Sequence, residues 1–597
     1  MGLFQKAIET YNEMKSIIGI EEEGRKEPLA PIAHICAHPA IEISIDCDGN
    51  FVKAEKLPEG KKIIIPATEE SAGRTSKIAP HPLCDQLCYI SSIDPSKKEK
   101  YIAYIAQLSE WYENCGNPKL KAVLKYVSEN TLLKDLESAD LLDFDERGGI
   151  KNSKDLVCWR ILGLDGKDSA VWTDKDLHVD FKNYYLQKLS SAGTVKKALS
   201  MISGDVEAIA KQHLKGVVSS EGNAKIISSN DEHNFTYRGR FVDSDEALTI
   251  GYEDSQMAHN ALKWLIANQG VSFGTGRWLV CWNPQGEKVP EPYMPLLQFK
   301  EEKIEPSDYK DVLAKAIAGY KSTLPSGKGV VIAAFKAATS GRLAITYYNE
   351  LQGSDFLERL KHWDETCCWS DSVKGVSSPS LIDIIKYAFG IERGKDAHIE
   401  VDKKILSQHI QRLIVCRVEK TAFPFDIMNT LVHKTYYLER YSIHNRGQLL
   451  FTACCVVRKY KYDKYKEIWE MTLNPEKRDR SYQFGRLLAV LEKIERDTFN
   501  QDEQRETNAI RMQSVFVQRP GEVSEKLITH LKNAYYPRLK MGQRIKYEQL
   551  LGQIFQMLSE ESEEAYNKPL GETYVLGYYL QKNNLYQKNE EKLNEQT

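Results

Sequence analysis

Ile41-Glu42-Ile43-Ser44-Ile45-Asp46-Cys47-Asp48-Gly49-Asn50-Phe51-Val52 alternates apolar and polar side chains and carries Asp48-Gly49 at its turn, so it reads as a β-hairpin. A second strand, Lys62-Ile63-Ile64-Ile65-Pro66, follows at once. Far downstream the period changes. Tyr547, Leu550, Leu551, Ile554, Phe555 and Leu558 recur at helical spacing, as do Leu487, Leu491 and Ile494, enough to bury one face of each helix in a bundle. Together the two periods predict an α+β fold: a mixed N-terminal body with short antiparallel sheets, followed by a C-terminal α-helical bundle.

Between these anchors, Phe4, Ile8, Tyr11 and Met14 form a helical stripe, and the periodicity predicts helix over 101–127 and 195–214. Ala224-Lys225-Ile226-Ile227 and Trp278-Leu279-Val280-Cys281-Trp282 read as strands. A hairpin is expected from 330–338 through Ser340-Gly341 to 343–348. At about 150 residues per domain, 597 residues suggest roughly three to four domains. The expected divisions are an α+β region at 1–215, a middle α+β region with strand hairpins at 216–380, a helical connector at 381–470 and the bundle at 471–597.

Lys plus Arg number 81 and Asp plus Glu 84, a formal net charge of −3. The chain is therefore not a globally basic nucleic-acid coat, and any contact with DNA or RNA must use local patches. The opening Met1-Gly2-Leu3-Phe4-Gln5-Lys6 lacks the apolar core of a secretory signal. No apolar run approaches the roughly 18 residues that span a bilayer. The twelve cysteines, several beside apolar residues, are expected to be reduced, buried and cytoplasmic.

Catalytic motifs are weak. His34-x3-His38 has a ligand-like spacing, but Pro31 and Pro39 flank it and no Glu completes HExxH. Ser326-Gly327-Lys328-Gly329 lacks the first P-loop glycine and the Ser or Thr that holds magnesium. Gly274-x-Gly276 precedes a strand and lacks the third glycine of a dinucleotide fingerprint. Neither metal nor cofactor is expected.

The segment from Pro66 to Pro82 differs in kind. Arg74 offers a planar fork, Thr75 and Ser76 add hydroxyls, Gly73 permits close backbone approach, and Lys61, Lys62 and Lys77 add positive charge. That chemistry suits DNA contact. The plainer alternative is a capped surface loop in which Glu69 or Glu70 pairs with Arg74. Arg458, Lys459, Lys461 and Lys464 interleave with tyrosines, as in single-strand binding surfaces, or else form a solvated helix face with tyrosine stems packed inward. Arg238, Arg240 and Lys263 are further candidate contacts.

The run Ile63-Ile64-Ile65-Pro66-Ala67-Thr68-Glu69-Glu70-Ser71-Ala72-Gly73-Arg74-Thr75-Ser76, continuing through Ala79-Pro80-His81-Pro82-Leu83-Cys84-Asp85-Gln86-Leu87, closely resembles a signature of the large subunit of the type I-C CRISPR Cascade surveillance complex. Phe235-Thr236-Tyr237-Arg238-Gly239-Arg240-Phe241, Ser255-Gln256-Met257-Ala258-His259-Asn260, Gly485-Arg486-Leu487-Leu488 and Leu576-Gly577-Tyr578-Tyr579 extend the resemblance over essentially the whole chain. Lys77 departs from it, standing where a glycine is expected.

The resemblance implies a non-catalytic role in antiviral defence. Such a subunit recognises the protospacer-adjacent motif (PAM) in duplex DNA, aids duplex opening, supports the R-loop and docks a helicase-nuclease. Its implied partners are crRNA-bound Cascade backbone subunits, guide RNA, target double-stranded DNA, the helicase-nuclease and small subunits made from its own C-terminal region. Met471, just ahead of Asn474-Pro475, is the candidate internal start for those small subunits. The competing readings are a guide-RNA and assembly scaffold, and a metal-dependent nuclease.

Overall fold

The computed structural model describes residues 2–594 apart from 75–76, 93–97, 147–148, 165–166, 192–195, 229–237, 243, 275, 299–302, 325–326, 372–374, 501 and 504. The fold is α+β, with short sheets in the earlier part and helices dominating the C-terminal part. Two compact units divide the chain. One takes Met1–Ser272, Gly276–Glu287 and Gly329–Glu350; the other takes Phe273–Thr275, Lys288–Lys328 and Leu351–Thr597.

In the first unit the hairpin forms where the alternation places it, from Ile41–Asp46 and Phe51–Lys56. Gly49 turns it at φ +80°, a left-handed value that glycine adopts without strain, and Asp46 Oδ1 accepts the Asp48 and Asn50 amides at 2.9 and 2.8 Å. Although its apolar and polar side chains alternate, Ile41–Asp46 is buried on both faces. It also pairs in parallel with Val157–Leu164, matching Ile43 to Trp159 and Ile45 to Ile161. A parallel partner requires a long crossover. Residues between the two strands supply it with helices Lys98–Cys115 and Pro118–Glu129, split at Gly116-Asn117-Pro118. Glu42, buried in that central strand, is answered by Arg160.

The second sheet of this unit runs Arg342–Gln352, Gly329–Thr339, Arg277–Trp282, Val271–Ser272, so the strand at 278–282 and the hairpin across Ser340-Gly341 are both present. Helix Leu3–Glu13 carries the expected N-terminal stripe and packs on helix Tyr252–Gln269; Thr10 Oγ1 accepts the Trp282 indole N–H at 2.9 Å.

Two sequence expectations fail. Instead of a helix, the 195–214 stretch contains a small hairpin, Lys197–Leu199 with Val206–Ala208. Its turn is Ser200-Met201-Ile202-Ser203-Gly204-Asp205: Gly204 sits at φ +83°, and the Ser200 and Ser203 hydroxyls each donate to Asp254 at 2.6 Å. Hydroxyl-to-carboxylate bonds of this kind compete with helical backbone pairing. Ala224–Ile227 forms no strand either, because Lys225 makes only single bridges to Lys215 and Arg342.

The second unit is built on helix Arg480–Arg496, which is buried on nearly every side. It crosses helix Tyr574–Asn594 through two glycines. A Cβ at Gly485 would run into the Tyr574 carbonyl oxygen, and one at Gly577 into that of Tyr482. Helix Met541–Leu558 buries Tyr547, Leu551, Ile554 and Leu558, a narrower stripe than the sequence suggested, with Leu550 and Phe555 at its margins. Earlier in this unit, the Arg417 guanidinium donates to Asp364 at 2.8 Å, both side chains almost wholly buried, and to the Pro292 carbonyl at 3.0 Å.

Five histidines of the first unit are buried: His34, His81, His178, His213 and His259. Burial first of all holds each below the ordinary histidine range, His81, His178 and His259 to about 4, His213 to about 3 and His34 well below it. The unfolded chain takes up these protons as pH falls below about 6.5, whereas the folded chain resists, so stability is present above that pH and lost toward pH 4. Glu69 and Glu207, raised to about 7 mainly by burial, act in the opposite sense, but they are two against five. The first unit should therefore unfold at lower temperature at pH 5 than at pH 7.5. Calorimetry across that range checks this, and a midpoint that rises on acidification would refute it.

Candidate nucleic-acid interface

Strand Ile63–Pro66, buried throughout and paired with His34–Ala37, delivers the chain to Thr68, which caps helix Glu69–Gly73. The cap is reciprocal: Thr68 Oγ1 accepts the Ser71 amide at 3.1 Å, and Ser71 Oγ accepts the Thr68 amide at 2.9 Å. Glu69 faces inward, its carboxylate accepting the Gln212 amide at 2.8 Å. Burial, aided by Glu70, pushes its pKa up to about 7. Gly73 lies so close to the Gln212 side chain that a Cβ would collide with it, so the close approach here is to another part of the chain.

Arg74 pairs with neither Glu69 nor Glu70. Its fork closes on Asp85, Nη1 to Oδ2 at 2.7 Å and Nη2 to Oδ1 at 2.5 Å, while Nη1 also donates to the Ala79 carbonyl at 3.0 Å. Asp85 is fully buried and accepts the His81 and Gln86 amides as well, both at 2.7 Å. The Arg74 guanidinium also lies 4.4 Å over the Tyr89 ring. Against the cost of burial, Asp85 holds the Arg74 charge above its ordinary range. Leu83, at φ +69°, is a strained corner of the same loop; its carbonyl accepts Trp159 Nε1–H at 2.7 Å and Tyr104 O–H at 2.6 Å.

The remaining candidates scatter. Lys77 is exposed, and Thr75 and Ser76 lie outside the described residues. The Lys61 ammonium sits 5.0 Å over the Trp172 ring. Lys62 and Lys263 are brought together on the buried Glu27, Lys263 at 3.5 Å. Arg238 and Arg240 belong to a short 3-10 turn; Arg240 is exposed, and the Arg238 side chain lies outside the described residues. His34 and His38 do not converge, because they sit on and beyond a strand, with His34 buried against His178 and His38 exposed. Among the described residues no group of three or more His, Cys, Asp or Glu side chains is placed to hold a metal ion. The twelve cysteines are free thiols, mostly buried.

In the second unit the basic-aromatic run ends helix Ile443–Tyr465. Arg458 donates inward to the Glu365 carbonyl at 2.7 Å and the Trp469 carbonyl at 3.0 Å. Lys459 is buried on Asp463 at 2.7 Å, and Lys461 reaches Glu572 at 3.0 Å. Lys464 donates to the Tyr460 hydroxyl at 2.8 Å and lies over the rings of Tyr460 and the half-exposed Tyr465, with the exposed Phe425 5.9 Å from Tyr460. Met471 lies in the irregular segment ahead of helix Arg480–Arg496. Three residues later the chain wraps onto that helix: the Tyr482 hydroxyl accepts the Asn474 amide at 3.1 Å, and Arg486 donates to the Pro475 carbonyl at 2.9 Å.

Sequence reasoning missed three features beside the Pro66–Pro82 loop. Lys215 Nζ donates to the Arg74 carbonyl at 3.2 Å, and Lys225 bridges to Lys215 through the backbone. The 197–208 hairpin, whose stem leads to Gln212, exposes Leu199, Met201 and Val206, the last 70 % open to solvent. Isolated lysines and three apolar residues in a stretch read as helix gave no signal.

The model of the family described as CRISPR-associated protein (Cas_Csd1) matches residues 10–586. The chain belongs to that family. It is accordingly a CRISPR-associated subunit of a type I-C Cascade complex, the large-subunit kind that its signature run resembles. No curated protein matches the chain. Among the described residues no helix is long and apolar enough to cross a membrane.

Removing Asp85 would strand a largely buried guanidinium. Asp85→Ala should lower the unfolding free energy by about 3–5 kcal/mol. Urea unfolding of the purified subunit measures it, and a change within about 0.5 kcal/mol, as for an ordinary surface substitution, would show that the pair is incidental.

Proposed function

We propose that this Cascade subunit is non-catalytic, that it inspects the PAM in duplex DNA, aids opening of the duplex, supports the R-loop and docks the helicase-nuclease. The family match over residues 10–586 carries this reading. Guide pairing reads sequence in such complexes, leaving protein to read a short motif and backbone shape. A net charge of −3 suits a protein that must leave non-specific duplex quickly. The Pro66–Pro82 segment supports DNA contact by presenting Lys77 to solvent from a frame held by Arg74 and Asp85.

The exposed Leu199, Met201 and Val206 support the opening step, since apolar side chains unstack base steps when inserted into a duplex. Lys464 with Tyr465 and Phe425 supports the single-strand step, as rings that stack on bases beside a cation. The scaffold reading draws on one observation: the Arg74 fork is already occupied by Asp85.

The assembled complex carrying Lys77→Ala separates the two. A role in duplex contact predicts weaker binding of PAM-bearing DNA and a salt slope shallower by about 1, with guide RNA retained. Unchanged duplex binding together with impaired guide loading would favour the scaffold. The structured lead-in beginning at Asn474 supports Met471 as an internal start. Silent recoding of the ribosome-binding sequence upstream of Met471 should then abolish a small C-terminal product on an immunoblot, and its persistence would reject that start.

A further inference from the structure

Several lysines of the first unit face a carboxylate: Lys6 meets Glu9 and Glu350, Lys62 meets Glu27, Lys119 meets Asp174 and Lys188 meets Glu110. Among the described residues Lys215 and Lys225 have no such ion pair: Lys215 donates to the Arg74 carbonyl, and the carboxylate that attracts Lys225 is Glu69, itself raised to about 7. The two lysines are partners in an antiparallel bridge, which places their Cβ atoms on one side, about 4.5–5.5 Å apart. Like charges so arranged repel.

The backbone enforces the arrangement. Gly216 at φ +67° closes the intervening loop, its amide donating to the Ala224 carbonyl at 2.9 Å. Lys225 is clamped at the sheet edge, its amide donating to the Gly341 carbonyl at 3.1 Å and its carbonyl accepting the Leu343 amide at 2.9 Å. Burial, then the neighbouring cation (Arg74 for Lys215, Lys215 for Lys225), holds both ammonium groups below the ordinary lysine range. The same positive field reaches His81, which stays neutral. Arg74, Lys215 and Lys225 thus gather in one place, Arg74 paired with the buried Asp85 and the two lysines repelling their cationic neighbours, and the fold holds them there at a cost. An anion with several acceptor oxygens would offset that cost.

We propose that Lys215 and Lys225 form a two-lysine clamp for a backbone phosphate of duplex DNA beside Arg74. The clamp rests on the duplex-inspection reading and adds to it the residues that grip the sugar-phosphate chain. A phosphate contact is sequence-blind. The clamp therefore contributes to PAM-bearing and PAM-free duplex alike.

Complexes assembled with Lys215→Met, Lys225→Met or Lys215→Arg provide the test, with PAM-bearing and PAM-free duplex titrated over a range of salt. Each Met variant should weaken both duplexes about three- to tenfold and flatten the dependence of log affinity on log salt by about 0.9. Its thermal midpoint should hold or rise, because a repulsive, partly desolvated charge has gone. Lys215→Arg should bind as the parent does. Unchanged affinity and slope in both Met variants, while the parent still discriminates the PAM, overturns the clamp and leaves the inspection reading standing. A lowered midpoint with lost binding, or a defect confined to guide loading, assigns the lysines to the fold or to RNA and overturns it too. A parent complex that shows no PAM-dependent binding removes the inspection reading itself, and the clamp with it.

Discussion

Asp85 is the group around which the candidate interface is arranged. One carboxylate, sealed from water, takes both prongs of Arg74 and the amides of His81 and Gln86. Its own carbonyl accepts the Val157 amide at 2.9 Å at the start of the parallel strand. The far end of the Pro66–Pro82 segment is therefore tied to the central sheet of the first unit. A buried ion pair is poor evidence of net stability, because desolvation offsets much of the attraction. Its effect here is geometric. With the Arg74 fork closed, the cationic reach of this region passes to the exposed Lys77 and to Lys215.

This division sorts the positive residues by what they face. Lys62 and Lys263 share Glu27, Lys459 sits on Asp463, and Lys461 reaches Glu572. These charges are neutralised inside the fold and lend little field to the exterior. Among the described residues Lys77, Lys215, Lys225 and Lys464 are not balanced by an ion pair of this kind. A chain with a net charge of −3 can thus carry local positive corners while its surface as a whole stays neutral.

The hairpin at Asp48-Gly49 was readable because turn chemistry and alternation are local. The parallel partner Val157–Leu164, which makes the same strand buried on both sides, was not, since it arrives only after the intervening helices. Residues 195–214 mimic a helix in their apolar spacing, but Asp254 captures Ser200 and Ser203 and the stretch folds as a hairpin. The Pro66–Pro82 segment drew notice through its density of donors. Its true counter-ion did not, because Glu69 and Glu70 stand nearer to Arg74 in sequence than Asp85 does. In the Arg458–Lys466 run, composition could not tell inward tips from outward ones; Arg458 and Lys459 turn inward, and Lys464 lies along its neighbouring tyrosines.

The two glycines at the crossing of Arg480–Arg496 and Tyr574–Asn594 set those helices at backbone contact, a spacing that a side chain at either position would prevent. The outer flank of the second helix is then turned toward Ile443–Tyr465: the Tyr574 hydroxyl meets Thr435, and the Val575 carbonyl accepts the Cys454 thiol at 3.7 Å. A polypeptide lacking everything before 471 would lose this cover, and the flank of the second helix around Tyr574 and Val575 would be left without its neighbour.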